Sequence, residues 1–172
     1  TRLAIADYTG DGLTDLIGLN GQKDLVLYRR YRNAGGGLRL GPGEPVVDDL
    51  GRPICKPHYF KLRDVDWDAD GLMDVVATQN LFGPDQRSLL FLRNVGTKTA
   101  PVFARPEAIR LWGKDIRFSS HGLQPSFLDY DGDGSLDFVG CTESGLYMLF
   151  RHAALTEQKP VAVAGERRGL IR

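Results

Sequence analysis

Short apolar runs separated by polar, glycine-containing segments make up the first third of the chain. The runs are Leu3–Ala6, Leu16–Leu19 and Leu25–Tyr28, and none of this stretch keeps a helical periodicity. Asn20-Gly21, between the second and third runs, is a strong β-turn signal. The pattern predicts three short strands connected by turns.

The same order of apolar runs occurs twice more. The later runs are Tyr59–Leu62, Val75–Ala77 and Ser88–Leu92, followed by Phe127–Leu128, Phe138–Val139 and Leu146–Phe150. Long connections separate the copies, and a fourth, outer strand is expected in each, at Val46–Val47 and at Ile109–Trp112. Three or four short strands per unit predict an all-β fold of β-propeller blades. The predicted units are residues 1–57, 58–120 and 121–172.

An acidic loop of pattern D-x-D-x-D-G-x-x-D follows the first run of the third unit. Its carboxylates belong to Asp129, Asp131, Asp133 and Asp137, and Gly134 supplies the sharp bend. Carboxylates held this close repel one another, and a hard divalent cation that prefers oxygen ligands removes the repulsion. A strand-like run follows the ninth position, whereas a helix–loop–helix site closes with Glu at the twelfth. The pattern therefore predicts a calcium loop between two strands.

The loop occurs once in each unit, with a period of about sixty residues that indicates an internal repeat. The predicted calcium ligands of the second loop are Asp66, Asp68, Asp70 and Asp74. Those of the first loop are Asp7, Thr9, Asp11 and Asp15, where Thr9 replaces one acid. An acidic, glycine-containing turn that binds no ion is the alternative interpretation.

Composition narrows the class of protein. The chain has 172 residues, and its 22 basic residues balance its 22 acidic ones. A zero net charge gives no bulk attraction to nucleic acid or to a membrane surface, and no apolar run is long enough to span a bilayer. Cys55 and Cys141 do not form a disulfide framework; Cys141 is expected to be a buried thiol, and a bridge between the two is the alternative.

The three loops, each with the apolar strand that follows it, resemble FG-GAP repeats of the VCBS type. The segment Arg93–Phe103 is similar to the blade-closing segment of bacterial members. The resemblance implies a calcium-binding β-propeller like those of integrin alpha heads and secreted bacterial proteins. It also implies a secreted, periplasmic or cell-surface location. An integrin-like adhesion head fits the loops but not the bacterial closing segment.

Three units are fewer than the four to eight blades that close a propeller. We therefore expect this chain to be a segment of a larger propeller, whose remaining blades are its partners. An assembly of several short chains is the alternative. Trp67 and Trp112 are expected to be packing residues rather than sugar platforms.

The propeller face opposite the calcium loops is the predicted ligand site. His58 and His121 each lie eight residues before the first acid of a loop, so they hold equivalent places in adjacent blades. A scaffold that binds a polysaccharide or a protein is the favoured function, with structural histidines. The alternative, implied by secreted propellers with such activity, is a polysaccharide lyase or glycosidase acting on uronate- or rhamnose-containing polymers. Its catalytic residues would be His58, His121, Tyr59 and Arg117.

Overall fold

The computed structural model describes residues 3–22, 24–54, 61–78, 89–117, 124–142 and 145–156, and within them the regular secondary structure is almost entirely antiparallel β-sheet. The first sheet contains β1 (Leu3–Ala6), β2 (Asp15–Leu19), β3 (Leu25–Arg32) and β4 (Leu38–Pro45), in that order. The second contains β5 (Lys61–Val65), β6 (Asp74–Thr78), β7 (Leu89–Leu92) and β8 (Glu107–Ala108). A small hairpin follows, β9 (Arg110–Leu111) with β10 (Lys114–Asp115). The third sheet contains β11 (Gln124–Leu128), β12 (Asp137–Cys141) and β13 (Tyr147–Phe150), and the helix α1 (His152–Thr156) follows it.

Each pair of consecutive sheets buries one apolar layer. Side chains alternate between the faces of a strand, so one face of the second sheet packs on the first sheet and the other face on the third. The first layer includes Ala4, Ile17, Leu25 and Leu27 against Leu62, Val75, Ala77, Leu90 and Leu92. The second includes Val65, Val76 and Leu89 against Phe127, Phe138, Met148 and Phe150. Full burial of a large side chain such as Leu62 or Phe138 contributes roughly 1.5–3 kcal/mol.

The first strands of the three sheets lie side by side. The Ile5 N–H of β1 donates to Asp64 Oδ1 of β5 at 3.1 Å. Arg63 Nε of β5 donates to the Pro125 carbonyl of β11 at 2.9 Å. These strands are therefore the inner strands of consecutive propeller-like blades. The acidic loops, which connect β1 to β2, β5 to β6 and β11 to β12, all leave from the same end of their sheets.

The predicted fourth strands were wrong in position. β4 ends at Pro45, and Val47 forms only an isolated bridge with Pro53. In the second unit β8 is the outer strand, because it pairs with β7. The predicted run Ile109–Trp112 instead enters the β9–β10 hairpin, where Trp112 has a φ of 49°. β4 is exposed along almost its whole length and contains no continuous apolar run. Val46 and Ile109 are apolar and buried outside the outer strands, so the apolar pattern pointed to them instead.

A tight turn from Asp48 to Arg52 closes the connection that follows β4. Asp48 Oδ1 accepts hydrogen bonds from the N–H groups of Leu50 and Arg52, both at 2.9 Å. Its Oδ2 accepts from Arg52 Nη2 at 2.6 Å and from Nε at 2.9 Å. The Arg52 side chain, together with these backbone bonds, lowers the pKa of Asp48 to about 2.

Asp48→Asn is expected to lower the melting temperature by several degrees at neutral pH, because asparagine offers one acceptor oxygen and no charge. A carboxylate with a lowered pKa stabilises the folded state above its ordinary pKa of 3.8 and loses that contribution as the pH falls towards about 2. The difference between wild type and variant should therefore shrink over that window in circular-dichroism melts. Asp49→Asn, at the exposed neighbour, is the matched control; an equal effect of both variants would contradict the prediction.

Candidate metal centre

The three acidic loops share one backbone conformation. The sixth position of each loop is Gly12, Gly71 or Gly134, with φ of 80°, 84° and 88°. No atom lies where a Cβ would be placed at any of them, so glycine is needed for the left-handed conformation and not for space. The sequence motif is therefore realised three times as the same local structure.

The first acid of each loop is held by the backbone of its own loop. Asp7 Oδ1 accepts from the Asp11 N–H at 3.2 Å, and its Oδ2 accepts from the Gly12 N–H at 2.9 Å. The equivalent bonds run to Asp66 from Asp70 at 3.1 Å and Gly71 at 3.0 Å, and to Asp129 from Asp133 at 3.1 Å and Gly134 at 3.0 Å. These bonds order the carboxylates at the centre of the loop.

The closing acid of each loop is fully buried and links the loop to the third strand. Oδ2 accepts from the N–H of the second loop residue, which is Tyr8 at 3.1 Å for Asp15, Trp67 at 3.0 Å for Asp74 and Tyr130 at 3.1 Å for Asp137. Oδ1 accepts from the N–H of the second residue after the apolar run of the third strand, namely Arg30 at 2.8 Å, Asn94 at 2.7 Å and His152 at 2.8 Å. Since a carboxylate has about four acceptor positions, these acids retain capacity for another partner.

Two of the loops bring three carboxylates together. One oxygen each from Asp66, Asp68 and Asp74 lie within 4.8 Å of one another. The same holds for Asp129, Asp131 and Asp133 in the third loop. The first loop, all of which is described, forms no such group of three acids, since its third residue is Thr9 and the Thr9 hydroxyl donates to Asp15 Oδ2 at 3.0 Å.

Burial makes the second loop electrostatically strained. Desolvation raises the pKa of Asp74 to about 6, although the N–H groups of Asn94 and Trp67 act in the opposite direction. The neighbouring charges of Asp68 and Asp70 raise it further. A divalent cation at this position would reverse the shift, because it favours the ionised form of every carboxylate around it.

Arginines stand beside two of the loops, and sequence reasoning missed them. Arg93 Nε lies 2.5 Å from Asp68 Oδ2, and its Nη2 lies 3.7 Å from Asp70 Oδ2. Arg151 forms an ion pair with Asp131. The signal was present in the sequence, because an arginine closes the third apolar run of every unit.

Aromatic residues occupy the second position of all three loops. Trp67 is buried, with its ring centroid 5.4 Å from that of Phe127 and 4.5 Å from that of His152, which confirms the prediction of a packing role. Tyr8 is also buried, and its hydroxyl has no hydrogen-bond partner within the described part of the chain. Burial raises the pKa of Tyr8 far above its ordinary value. The equivalent Tyr130 is exposed.

The predicted catalytic set lies largely outside the described residues. This applies to His58, Tyr59 and His121, whereas Arg117 is described and exposed just after β10. Cys141 is a half-buried free thiol whose Sγ donates to the Thr142 carbonyl at 3.3 Å, and Cys55 lies outside the described ranges. None of the helices that the structure describes has the length and apolar character needed to cross a membrane.

Comparison with known proteins gives one family. Residues 66–140 match the family model described as an FG-GAP-like repeat, from the second acidic loop to within β12. This confirms the FG-GAP resemblance in the part of the chain that the match covers, while the VCBS type stays a prediction. A search of curated proteins finds no match.

Proposed function

We propose that this chain, which contains an FG-GAP-type repeat at residues 66–140, is a calcium-stabilised propeller segment that serves as a polysaccharide- or protein-binding scaffold. The observation that carries the proposal is the equivalent hydrogen bonding of the first and closing acids in three acidic loops, at the same end of three consecutive sheets. A loop geometry repeated this closely, with carboxylates gathered in two of the copies, suits a structural ion.

The chemistry of the loops fits calcium. Every side-chain atom proposed as a metal ligand in them is a carboxylate or hydroxyl oxygen, and hard divalent cations prefer oxygen ligands. Calcium accepts six to eight ligands in flexible geometry, whereas magnesium demands a near-ideal octahedron and retains several waters. The residues that would hold the ion are Asp66, Asp68, Asp70 and Asp74 in the second loop, and Asp129, Asp131, Asp133 and Asp137 in the third. Bound there, calcium would neutralise the carboxylates and lock the inner strand to the next one.

The first loop is proposed as a weaker site. Asp7, Asp11 and Asp15 supply three acids, but Thr9 directs its hydroxyl proton at Asp15. An ion in this loop would meet one negative charge fewer than in the other two, and ligand charge is a main determinant of calcium affinity.

Open apolar faces at both ends of the three sheets support a larger propeller. Leu62 is fully buried because the first sheet covers it, but Leu3, which has the equivalent position in the first sheet, is exposed. Val65 is buried by the third sheet, but its equivalent in that sheet, Leu128, is exposed. Tyr147 on the same sheet is 72% exposed. The occupant that we propose for both faces is a further blade of this repeat type, because such a blade already covers the equivalent positions within the chain.

A location outside the cytoplasm follows from the proposed ion. Loops of this kind bind with modest affinity, and extracellular calcium modules have dissociation constants of about 10⁻⁴–10⁻³ M. The proposed location is therefore secreted, periplasmic or at the cell surface, where calcium is abundant enough to fill the loops.

Ligand binding is proposed for the face opposite the acidic loops. The loops occupy one end of the sheets, and in the proposed propeller the connections between blades would lie at the other end. The exposed guanidinium of Arg117 lies in one such connection and would attract an anionic polymer. The enzymatic alternative assigns acid–base roles to His58 and His121, with Tyr59 and Arg117 beside them, in a polysaccharide lyase or glycosidase.

The test combines binding and turnover. The full chain, saturated with calcium, is passed over immobilised acidic polysaccharides and proteins, while the absorbance of unsaturated uronate ends and the release of reducing ends are followed in solution. Retention without turnover supports the scaffold. Turnover that His58→Ala and His121→Ala abolish, with the melting temperature unchanged, would replace it with the enzyme. Neither retention nor turnover on any polymer or protein of the panel would contradict both.

A further inference from the structure

An arginine directly follows the apolar run of the third strand in every sheet. Arg29, Arg93 and Arg151 each precede the residue whose N–H caps the closing acid of the neighbouring loop. The hydrogen bond of the next residue fixes the backbone there. Each arginine therefore starts from the same point beside an acidic loop.

Two of these arginines contact the third acid of their loop. Arg93 pairs with Asp68 and also approaches Asp70, and Arg151 pairs with Asp131. In both pairs the arginine side chain is about half exposed and the aspartate is more buried. The guanidinium thus lies against the carboxylates from the solvent side and supplies a positive charge where an ion would be held.

The first unit acts as an internal control. Its third loop residue is Thr9, which carries no charge, and Arg29 does not pair with an acid of that loop. Arg29 Nε instead lies 3.1 Å from both carboxylate oxygens of Glu44 on β4. The pairing of the arginine with the loop therefore follows the charge at the third position and not the position of the arginine in the fold.

We propose that Arg93 and Arg151 are built-in counter-cations that compete with calcium for the third carboxylate of the second and third loops. This inference rests on the proposed calcium binding. A carboxylate oxygen engaged by a guanidinium is less available to a metal ion, and the two positive charges repel each other at this distance. The arginines stabilise the loops when no ion is bound and lower the calcium affinity. They thereby add modestly to the stability of the folded blades at low calcium and move occupancy to higher concentrations.

The test compares charge-removing and charge-keeping variants. Calcium affinity is measured by titration calorimetry for wild type, Arg93→Gln, Arg151→Gln, Arg93→Lys and Arg29→Gln. An exposed ion pair contributes roughly 0.2–1 kcal/mol, so both loop glutamine variants should bind calcium on the order of two- to fivefold more tightly. Arg93→Lys, which keeps the charge, should remain closer to wild type, and Arg29→Gln should not change the affinity.

A second readout separates competition from a merely structural role. With a chelator present, Arg93→Gln and Arg151→Gln should melt at a lower temperature than wild type. In saturating calcium this difference in melting temperature should shrink or change sign. Terbium luminescence sensitised by Trp67 is recorded in an Asp131→Asn background, which weakens the third loop, and there Arg93→Gln should shift the titration where Arg151→Gln does not.

The outcomes separate this inference from the calcium proposal. If wild type binds calcium and the loop glutamine variants bind it equally or more weakly, the counter-cation role is wrong and the calcium loops stand. If neither wild type nor any variant binds calcium, both are wrong.

Discussion

Asp74→Ala is expected to lower the free energy of unfolding by about 3–5 kcal/mol, even without calcium. Both oxygens of this buried carboxylate accept backbone hydrogen bonds, from Trp67 and from Asn94. Alanine leaves these two N–H groups buried without acceptors, at roughly 1–3 kcal/mol each. The same change also removes the unfavourable burial of the carboxylate, which is what raises the pKa of Asp74. This gain offsets part of the lost stability.

The destabilisation caused by Asp74→Ala should extend into the segment Arg93–Phe103, which closes the second blade. Asn94 Oδ1 accepts from the N–H groups of Gly96 and Val102, at 3.1 and 3.2 Å. Its side-chain amide donates to the Met73 carbonyl at 3.2 Å. Asn94 therefore connects Asp74 to the turn after β7. Loss of the bond between Asp74 and the Asn94 N–H is expected to destabilise both the acidic loop and this turn.

Urea unfolding in calcium-free buffer measures the effect. Asp70→Ala in the same loop is the matched control, since Asp70 is partly exposed and accepts from the Leu72 N–H at the surface; we expect a loss below about 1 kcal/mol. Asp74→Asn, which keeps one acceptor, should fall between the two and remains measurable if the alanine variant does not fold. Equal losses for Asp74→Ala and Asp70→Ala would refute the linking role of the closing acid.

Calcium is expected to raise the melting temperature by about 10–20 °C. A ligand at a hundred times its dissociation constant stabilises the folded state by about 2.7 kcal/mol per site, and the second and third loops provide two such sites. A domain of this size shifts by roughly 2–4 °C per kcal/mol. Chelation should return the melting temperature to that of the ion-free protein, measured by calorimetry.

Two controls test whether the shift in melting temperature is specific for calcium and for the acidic loops. Magnesium at the same concentration should produce a much smaller shift, because it resists replacing its waters with loop oxygens. The double variant Asp68→Asn with Asp131→Asn removes the third acid of both loops and should abolish most of the calcium effect. A melting temperature that is insensitive to calcium and chelator would contradict the proposed ion.

The sequence by itself determined the repeat, the inner strands and the internal structure of the acidic loops. Apolar runs bounded by loops set β1, β2 and β6 to within one residue and β5 to within three, because the side chains that these strands bury must be apolar. The loop geometry followed from spacing alone, since the bonds from Asp11 to Asp7 and from Asp70 to Asp66 join residues four apart. Such bonds depend only on local backbone and residue type.

The tertiary structure decided what crosses from one strand to another. The bond between Asp74 and the Asn94 N–H spans 20 residues, and it turns a predicted ligand into a link between loop and third strand. The pairing of Arg93 with Asp68, and of Arg29 with Glu44, depends on which strands adjoin. The outer strand β4, exposed on both faces, left no apolar pattern and was therefore misplaced. Hydrogen bonds within a loop can be predicted from the spacing of its residues. Contacts between strands are fixed only when the strands pair and the sheets pack.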